Sequence, residues 1–138
     1  MNKVDKVDKV VLDASAVLAV LQEEPGTERV LEALKNFEGT LAISSVNFCE
    51  VCTKLVREKA SPADLELAVA PFRSYVVAFD DLQAQKAAEL YPQTSSFGLS
   101  LGDRACLALA ASIHARVWTT DRTWKKLKIG VEVEVIRN

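Results

Sequence analysis

The chain has 138 residues, 49% of them hydrophobic, with only 5 glycines and 4 prolines, which excludes a disordered chain and points to one domain with a sizeable core. Lys and Arg number 17 and Asp and Glu 19, a net charge of −2, which excludes attachment to nucleic acid by bulk positive charge and leaves a local basic patch or a bound metal for that role. The 3 cysteines make no disulfide framework, the longest apolar run is too short for a bilayer and the N-terminus is no signal peptide, so a cytoplasmic protein is expected.

Met1 to Lys9 repeats Lys-Val-Asp, with valine at every third position, a period of neither strand nor helix; residues 1–8 read as a frayed leader. Val10-Val11-Leu12 is an apolar, β-branched strand that stops at Asp13, and Ala14 to Leu21 continues as a helix. That is the start of a βα unit with a buried parallel strand. Glu24-Pro25-Gly26 breaks the helix. A second helix, Thr27 to Phe37, puts Val30, Leu31, Leu34 and Phe37 on one face.

Thr40 to Ile43 is the second strand. A helix over about Val46 to Lys59 follows, with Asn47 as its cap and Glu50 in its first turn. Ser61-Pro62-Ala63-Asp64 opens another helix, reaching about Arg73. Tyr75 to Phe79 is the third strand, a helix runs from Asp80-Asp81 to about Tyr91-Pro92, and residues 93–98 form a polar loop. Ser100 then caps an Ala/Leu-rich helix with Asp103 in its first turn. Arg116 to Thr119 is the fourth strand, ending at Thr120-Asp121. A basic turn over Arg122 to Lys128 leads to Val131 to Ile136, whose alternation marks an edge strand. Five strands with helices between them predict an α/β fold, a three-layer α/β/α sandwich on a mostly parallel five-stranded sheet, as a single domain over residues 1–138.

Sites in open parallel sheets form at the carboxyl ends of the strands. Asp13, Glu50 and Asp121 lie at that edge by connectivity; Asp103 joins them if the loop over residues 93–98 carries its helix start there. Each acid also has a purely local explanation as a helix cap. Four separate caps are the alternative, but taken together a common cluster explains more of the pattern. Two carboxylates about 4 Å apart repel by roughly 4 kcal/mol at an effective dielectric of about 20, so such a cluster takes up protons or binds a cation. Oxygen donors without a His or Cys set select Mg²⁺ or Mn²⁺, which suits phosphate chemistry. Ser15, Thr119 and Thr120 flank two of the acids and are candidates to orient ligands or water, although hydroxyls are ordinary at such junctions. Arg104, Arg122, Lys125, Lys126 and Lys128 are candidates to meet a polyanion, and a solvated face is the plainer reading of the last four.

Val11-Leu12-Asp13-Ala14-Ser15-Ala16, Val46-Asn47-Phe48-Cys49-Glu50-Val51, the run from Ser100 to Ala110 and Thr119-Thr120-Asp121-Arg122-Thr123-Trp124 resemble the conserved blocks of PIN-domain proteins, most closely the VapC-type toxins of prokaryotic toxin–antitoxin pairs. The resemblance spans Val10 to about Ile136. It implies an endoribonuclease that hydrolyses RNA phosphodiesters with Mg²⁺ or Mn²⁺. Asp13 and Asp103 would be its principal metal ligands and catalytic groups, and Glu50 and Asp121 would complete the acidic pocket. It also implies a homodimer silenced by a cognate antitoxin whose tail covers the groove, and no membrane. The alternative is a PIN-like binding or assembly module with little catalysis. A haloacid dehalogenase-type phosphatase is set aside, because Ser15 stands where a second Asp is needed, and a receiver domain lacks its paired acid.

Cys49 and Cys52 bracket Glu50 as Cys-x-x-Cys without redox or zinc context. With Cys106 they read as small core residues, as do Trp118 and Trp124, while His114 reads as a helix-end or surface residue.

Overall fold

A computed structural model of the chain describes residues 8–136. Five strands form one sheet in the order β3-β2-β1-β4-β5. They are β1 (Lys9–Leu12), β2 (Thr40–Ser44), β3 (Val76–Val77), β4 (Arg116–Thr119) and β5 (Val133–Val135). Every neighbouring pair is parallel, so the sheet is parallel throughout. β1 sits at its centre, and Val10, Val11 and Leu12 are each 0% exposed. A continuous apolar run is what a strand covered on both faces requires.

Helices cover both faces. Val10, Leu12 and Ile43 pack against α1 (Ala14–Leu21), α2 (Thr27–Asn36), α3 (Ser45–Arg57) and α4 (Pro62–Val69), through Val17, Val30, Val51 and Val69. Val11, Ala42 and Val117 face the other way, onto Leu90, Leu107, Leu109 and Trp124. That second layer holds α5 (Asp81–Glu89), the one-turn α6 (Tyr91–Thr94) and α7 (Leu101–Ile113). The three-layer sandwich expected from the sequence is therefore the fold. No helix of the described residues is long and apolar enough to cross a membrane.

Several boundaries differ from the sequence expectation. α3 begins at Ser45, with Ser44 as its cap accepting the Val46 N–H, so Asn47 lies inside the helix and caps nothing. The helix expected to reach Arg73 is α-helical only to Val69 and continues as a 3₁₀ helix over Ala70–Tyr75. Pro71, near the start of that segment, has no N–H with which to continue the α-helical ladder. The third strand shrinks to Val76–Val77, and the expected polar loop is α6 and a 3₁₀ turn over Ser95–Phe97. Leu31, placed on the buried face of α2, is 44% exposed, while Val30 and Ala33 carry the burial. Trp118 and Trp124 are core, but Cys49 is exposed.

The leader expected over residues 1–8 lies outside the described residues up to position 7. Asp8 already belongs to the sheet: its carbonyl accepts the Thr40 N–H at 2.8 Å and its carboxylate pairs with Arg116 at 2.7 Å. From central β1 the chain winds one way through β2 and β3, then returns to place β4 and β5 on the other side. The crevice at such a reversal lies beyond the carboxyl ends of β1 and β4, where Asp13 and Asp121 follow their strands.

Candidate active site

Asp13 directly follows β1 and is the N-cap of α1. Its Oδ1 accepts the Ala16 N–H at 2.9 Å and the Ser15 hydroxyl at 2.6 Å, and its Oδ2 accepts the Thr119 hydroxyl at 2.7 Å. The direction of these bonds is fixed from behind. The Ser15 hydroxyl accepts the Thr120 N–H at 2.9 Å, and the Thr119 hydroxyl accepts the Asp121 N–H at 3.0 Å. Each hydroxyl thus has a donor at its back and turns its own proton to Asp13. Asp13 is 5% exposed. Burial raises its pKa to about 6; hydrogen bonds from Ser15, Thr119 and Ala16 oppose the rise, and the charge of Asp103 adds to it.

Asp103 stands in the first turn of α7, half-buried. It forms a full capping box: the Ser100 hydroxyl accepts the Asp103 N–H at 3.2 Å, and Asp103 Oδ2 accepts the Ser100 N–H at 2.9 Å. Its charge adds to the rise at Asp13, and the hydrogen bond from Asn47 Nδ2 to the Gly102 carbonyl ties the α7 start to the first turn of α3, just after β2.

Glu50 comes from α3 and lies against Gly102. A Cβ on Gly102 would stand 2.1 Å from Glu50 Oε2. Asn47, 1% exposed, donates from Nδ2 to Glu50 Oε1 and to the Gly102 carbonyl, each at 2.9 Å. Beneath these acids is Cys106, 0% exposed. Burial pushes its thiol pKa well up, and the charges of Asp13, Asp103 and Glu50 push it further. The charges of three acids from three elements thus act on this one buried thiol, although Glu50 itself is exposed and Asp103 half-buried.

Asp121 is placed differently. It is exposed, its Oδ1 accepts the Thr123 N–H at 2.9 Å, and it caps the 3₁₀ helix Arg122–Lys126. It joins the site through its backbone bond to Thr119, and its charge is not among those that raise the pKa of Asp13 or Cys106. Arg104 donates to the Ala87 carbonyl at 3.0 Å and lies over the Tyr91 ring at 5.4 Å, tying α7 to the end of α5 and to α6.

Among the described residues, no three His, Cys, Asp or Glu side chains close into a cage for an ion. The donor set fits a hard cation that needs no cage: Mg²⁺ keeps several waters and takes one or two carboxylates together with substrate phosphate. A buried carboxylate flanked by hydroxyls, with a second acid acting on it, meets that requirement.

Beside Glu50 runs a groove of about 670 Å³. Leu18, Val46 and Phe79 supply its apolar wall, and Lys54 and Arg57 its cations. Glu50, Lys54 and Arg57 share one face of α3, since residues four and seven apart align on a helix. The sequence reading took Asn47 for a cap and missed Gly102 and the place of Cys106. The available signal was a glycine in the first turn of a helix otherwise rich in Ala and Leu.

The model of the PIN domain matches residues 10–130. A comparison with curated protein sequences returns no match. A chain of the VapBC2 complex from Rickettsia felis, bound to a DNA fragment from its promoter, superposes with a TM-score of 0.72 at 20% identity, covering 91% of this chain and 97% of that one. The sarcin–ricin loop cleaving toxin VapC20 of Mycobacterium tuberculosis gives 0.68 at 14% identity, covering 89% and 98%. A chain of the toxin–antitoxin system VapBC-5 of the same organism gives 0.58 at 25% identity, covering 94% and 98%.

Proposed function

The chain belongs to the PIN-domain family, and from that premise we propose that it is a divalent-metal-dependent endoribonuclease, the toxin of a toxin–antitoxin pair, working in the cytoplasm. The observation that carries this reading is Asp13. Its carboxylate is buried at the end of the central strand, held by three hydrogen bonds and raised in pKa by burial and by Asp103. A chain that keeps a carboxylate in such a place bears a stability cost that a bound cation relieves.

In this reading Asp13 and Asp103 hold the ion, and Glu50 and Asp121 complete the acidic pocket. A bound Mg²⁺ or Mn²⁺ acidifies water and offsets the charge that develops on a phosphate under attack. Ser15 and Thr119 keep the Asp13 oxygens in one orientation by donating their protons to them. Glu50, held beside Gly102, is the carboxylate free to accept a proton from the attacking water. The RNA strand follows the groove beside Glu50, its phosphates meeting Lys54 and Arg57.

The partner reading rests on the similar structures, several of which are toxin–antitoxin complexes. A cognate antitoxin is the proposed silencing partner, and a homodimer the proposed assembly. Leu82, Tyr91 and Leu101, 72%, 56% and 55% exposed on α5, α6 and α7, are apolar side chains that a second copy would cover. The test is cleavage of structured RNA by purified, antitoxin-free protein in Mn²⁺, in EDTA, and by Asp103→Asn in Mn²⁺. Cleavage by wild type with metal alone supports the reading. Cleavage that persists in EDTA or in the variant overturns the metal mechanism, and none in any arm favours a binding module.

A further inference from the structure

Glu50 projects from an exposed turn of α3, where a glutamate ordinarily samples solvent. Glu50 is exposed, yet two neighbours hold its carboxylate at the contact between α3 and α7. Gly102 is the second residue of α7, where alanine is the better helix former. Its backbone gives no reason for glycine: among the described glycines, positive φ occurs at Gly26, Gly98 and Gly130, not here. The reason is space, because a Cβ at Gly102 would stand 2.1 Å from Glu50 Oε2 and 2.5 Å from Cδ. Asn47 is the second neighbour. Both of its donor contacts are spent on Glu50 Oε1 and the Gly102 carbonyl, and its Oδ1 is buried without a partner. A buried, unsatisfied amide oxygen costs about 1–3 kcal/mol.

We propose that Asn47 and Gly102 form a notch that fixes the Glu50 carboxylate in the acidic site, which makes both of them positioning residues for the cleavage reaction; this inference rests on the function proposed above. The notch joins α3 to α7, so it also sets Glu50 relative to Asp103, one residue beyond Gly102. Neither residue touches the reacting atoms.

The test uses Gly102→Ala, Asn47→Leu, Glu50→Ala and the Gly102→Ala/Glu50→Ala double variant of the full chain. Three quantities are read: melting temperature, Mn²⁺ affinity by calorimetry, and kcat and KM on a cleaved RNA. The added methyl displaces only the flexible end of Glu50, so Gly102→Ala folds and melts close to wild type. A displaced Glu50 lowers kcat by roughly tenfold to a hundredfold with KM little changed. Asn47→Leu removes both donors and gives the same loss of kcat; because leucine is the larger side chain at a buried position, its melting temperature also falls by the cost of overpacking. In the Glu50→Ala background, Gly102→Ala leaves kcat and Mn²⁺ affinity unchanged and raises the melting temperature more than it does in wild type. Unchanged kcat in Gly102→Ala, or an equal loss in both backgrounds, overturns the proposal. Wild type that neither binds Mn²⁺ nor cleaves overturns the parent reading instead. The melts then judge the notch alone: equal shifts in both backgrounds overturn it, and a larger rise without Glu50 upholds it.

Discussion

Thr119 Oγ1 donates a 2.7 Å hydrogen bond to Asp13 Oδ2, and so ties the last residue of β4 to the residue just after β1. Both residues are buried, so water cannot replace the bond when it is lost. Thr119→Val keeps the shape and removes the donor. Hydrogen bonds to charged groups contribute about 1.5–3 kcal/mol, and that is the expected loss in urea unfolding at neutral pH. Groups that orient a metal ligand typically change affinity by about 10–100-fold, and Mn²⁺ binding should weaken by that factor. A Thr119→Val protein with wild-type stability and affinity would show the tie to be idle.

Asp13 makes stability depend on pH in a direction opposite to an ordinary paired carboxylate. Burial raises its pKa from 3.8 to about 6, so the folded chain holds a proton that the unfolded chain has released. The stability from that proton is complete below about pH 4 and is lost as pH rises to about 6. At about 1.4 kcal/mol per unit, the loss is roughly 3 kcal/mol. Metal-free protein should therefore show a falling contribution across this range in urea titrations, and Asp13→Asn should lack it. Mn²⁺ at pH 7 should restore wild-type stability, because a cation favours the charged form. A contribution that rises across the same range would contradict the burial account.

Asp103 serves α7 as a cap and, in the proposed function, the reaction as a ligand; one substitution separates the two. Asparagine retains a side-chain oxygen for the Ser100 N–H. Asp103→Asn should cost less than about 1 kcal/mol of stability. RNA cleavage should nonetheless fall by a hundredfold or more, on the order of a lost charge at the metal. A variant that loses activity only in proportion to its unfolded fraction would leave Asp103 as a cap and nothing else.

Lys54 and Arg57 face the groove beside Glu50, although Lys54 also pairs with Glu58 at 3.3 Å. Replacing each with alanine should weaken RNA binding and flatten its salt dependence by roughly 0.7 in log–log slope per phosphate contact removed. Fluorescence anisotropy on an uncleaved RNA at several salt concentrations reads this directly. An unchanged slope would route the strand elsewhere.

The sheet and its edge were legible because β1 is an uninterrupted apolar run and Asp13, Asp103 and Asp121 sit at its strand and helix boundaries. The resemblance of those blocks to PIN-domain proteins carried the family, which the match over residues 10–130 shows. Local capping was legible too: Asp13 and Asp121 are N-caps, and Asp103 completes the capping box of Ser100. Two things were hidden. Asn47 looked like a cap because an Asn three residues before a Glu has that pattern, whereas Ser44 at the end of β2 starts the helix one residue earlier than expected. Gly102 acquires its meaning only from Glu50, 52 positions away in the chain and brought near by the packing of α3 on α7. Spacing along a chain does not report such long-range contacts, and neither does it report that Asp121 turns its carboxylate to Thr123.

The measurement that tests the central claim most directly is a calorimetric titration of Mn²⁺ into metal-free wild type, Asp13→Asn and Asp103→Asn at pH 7. The account predicts binding to wild type, lost or weakened at least tenfold in both variants while their melts show folded protein. No binding to wild type, or binding unchanged in Asp13→Asn, would contradict it.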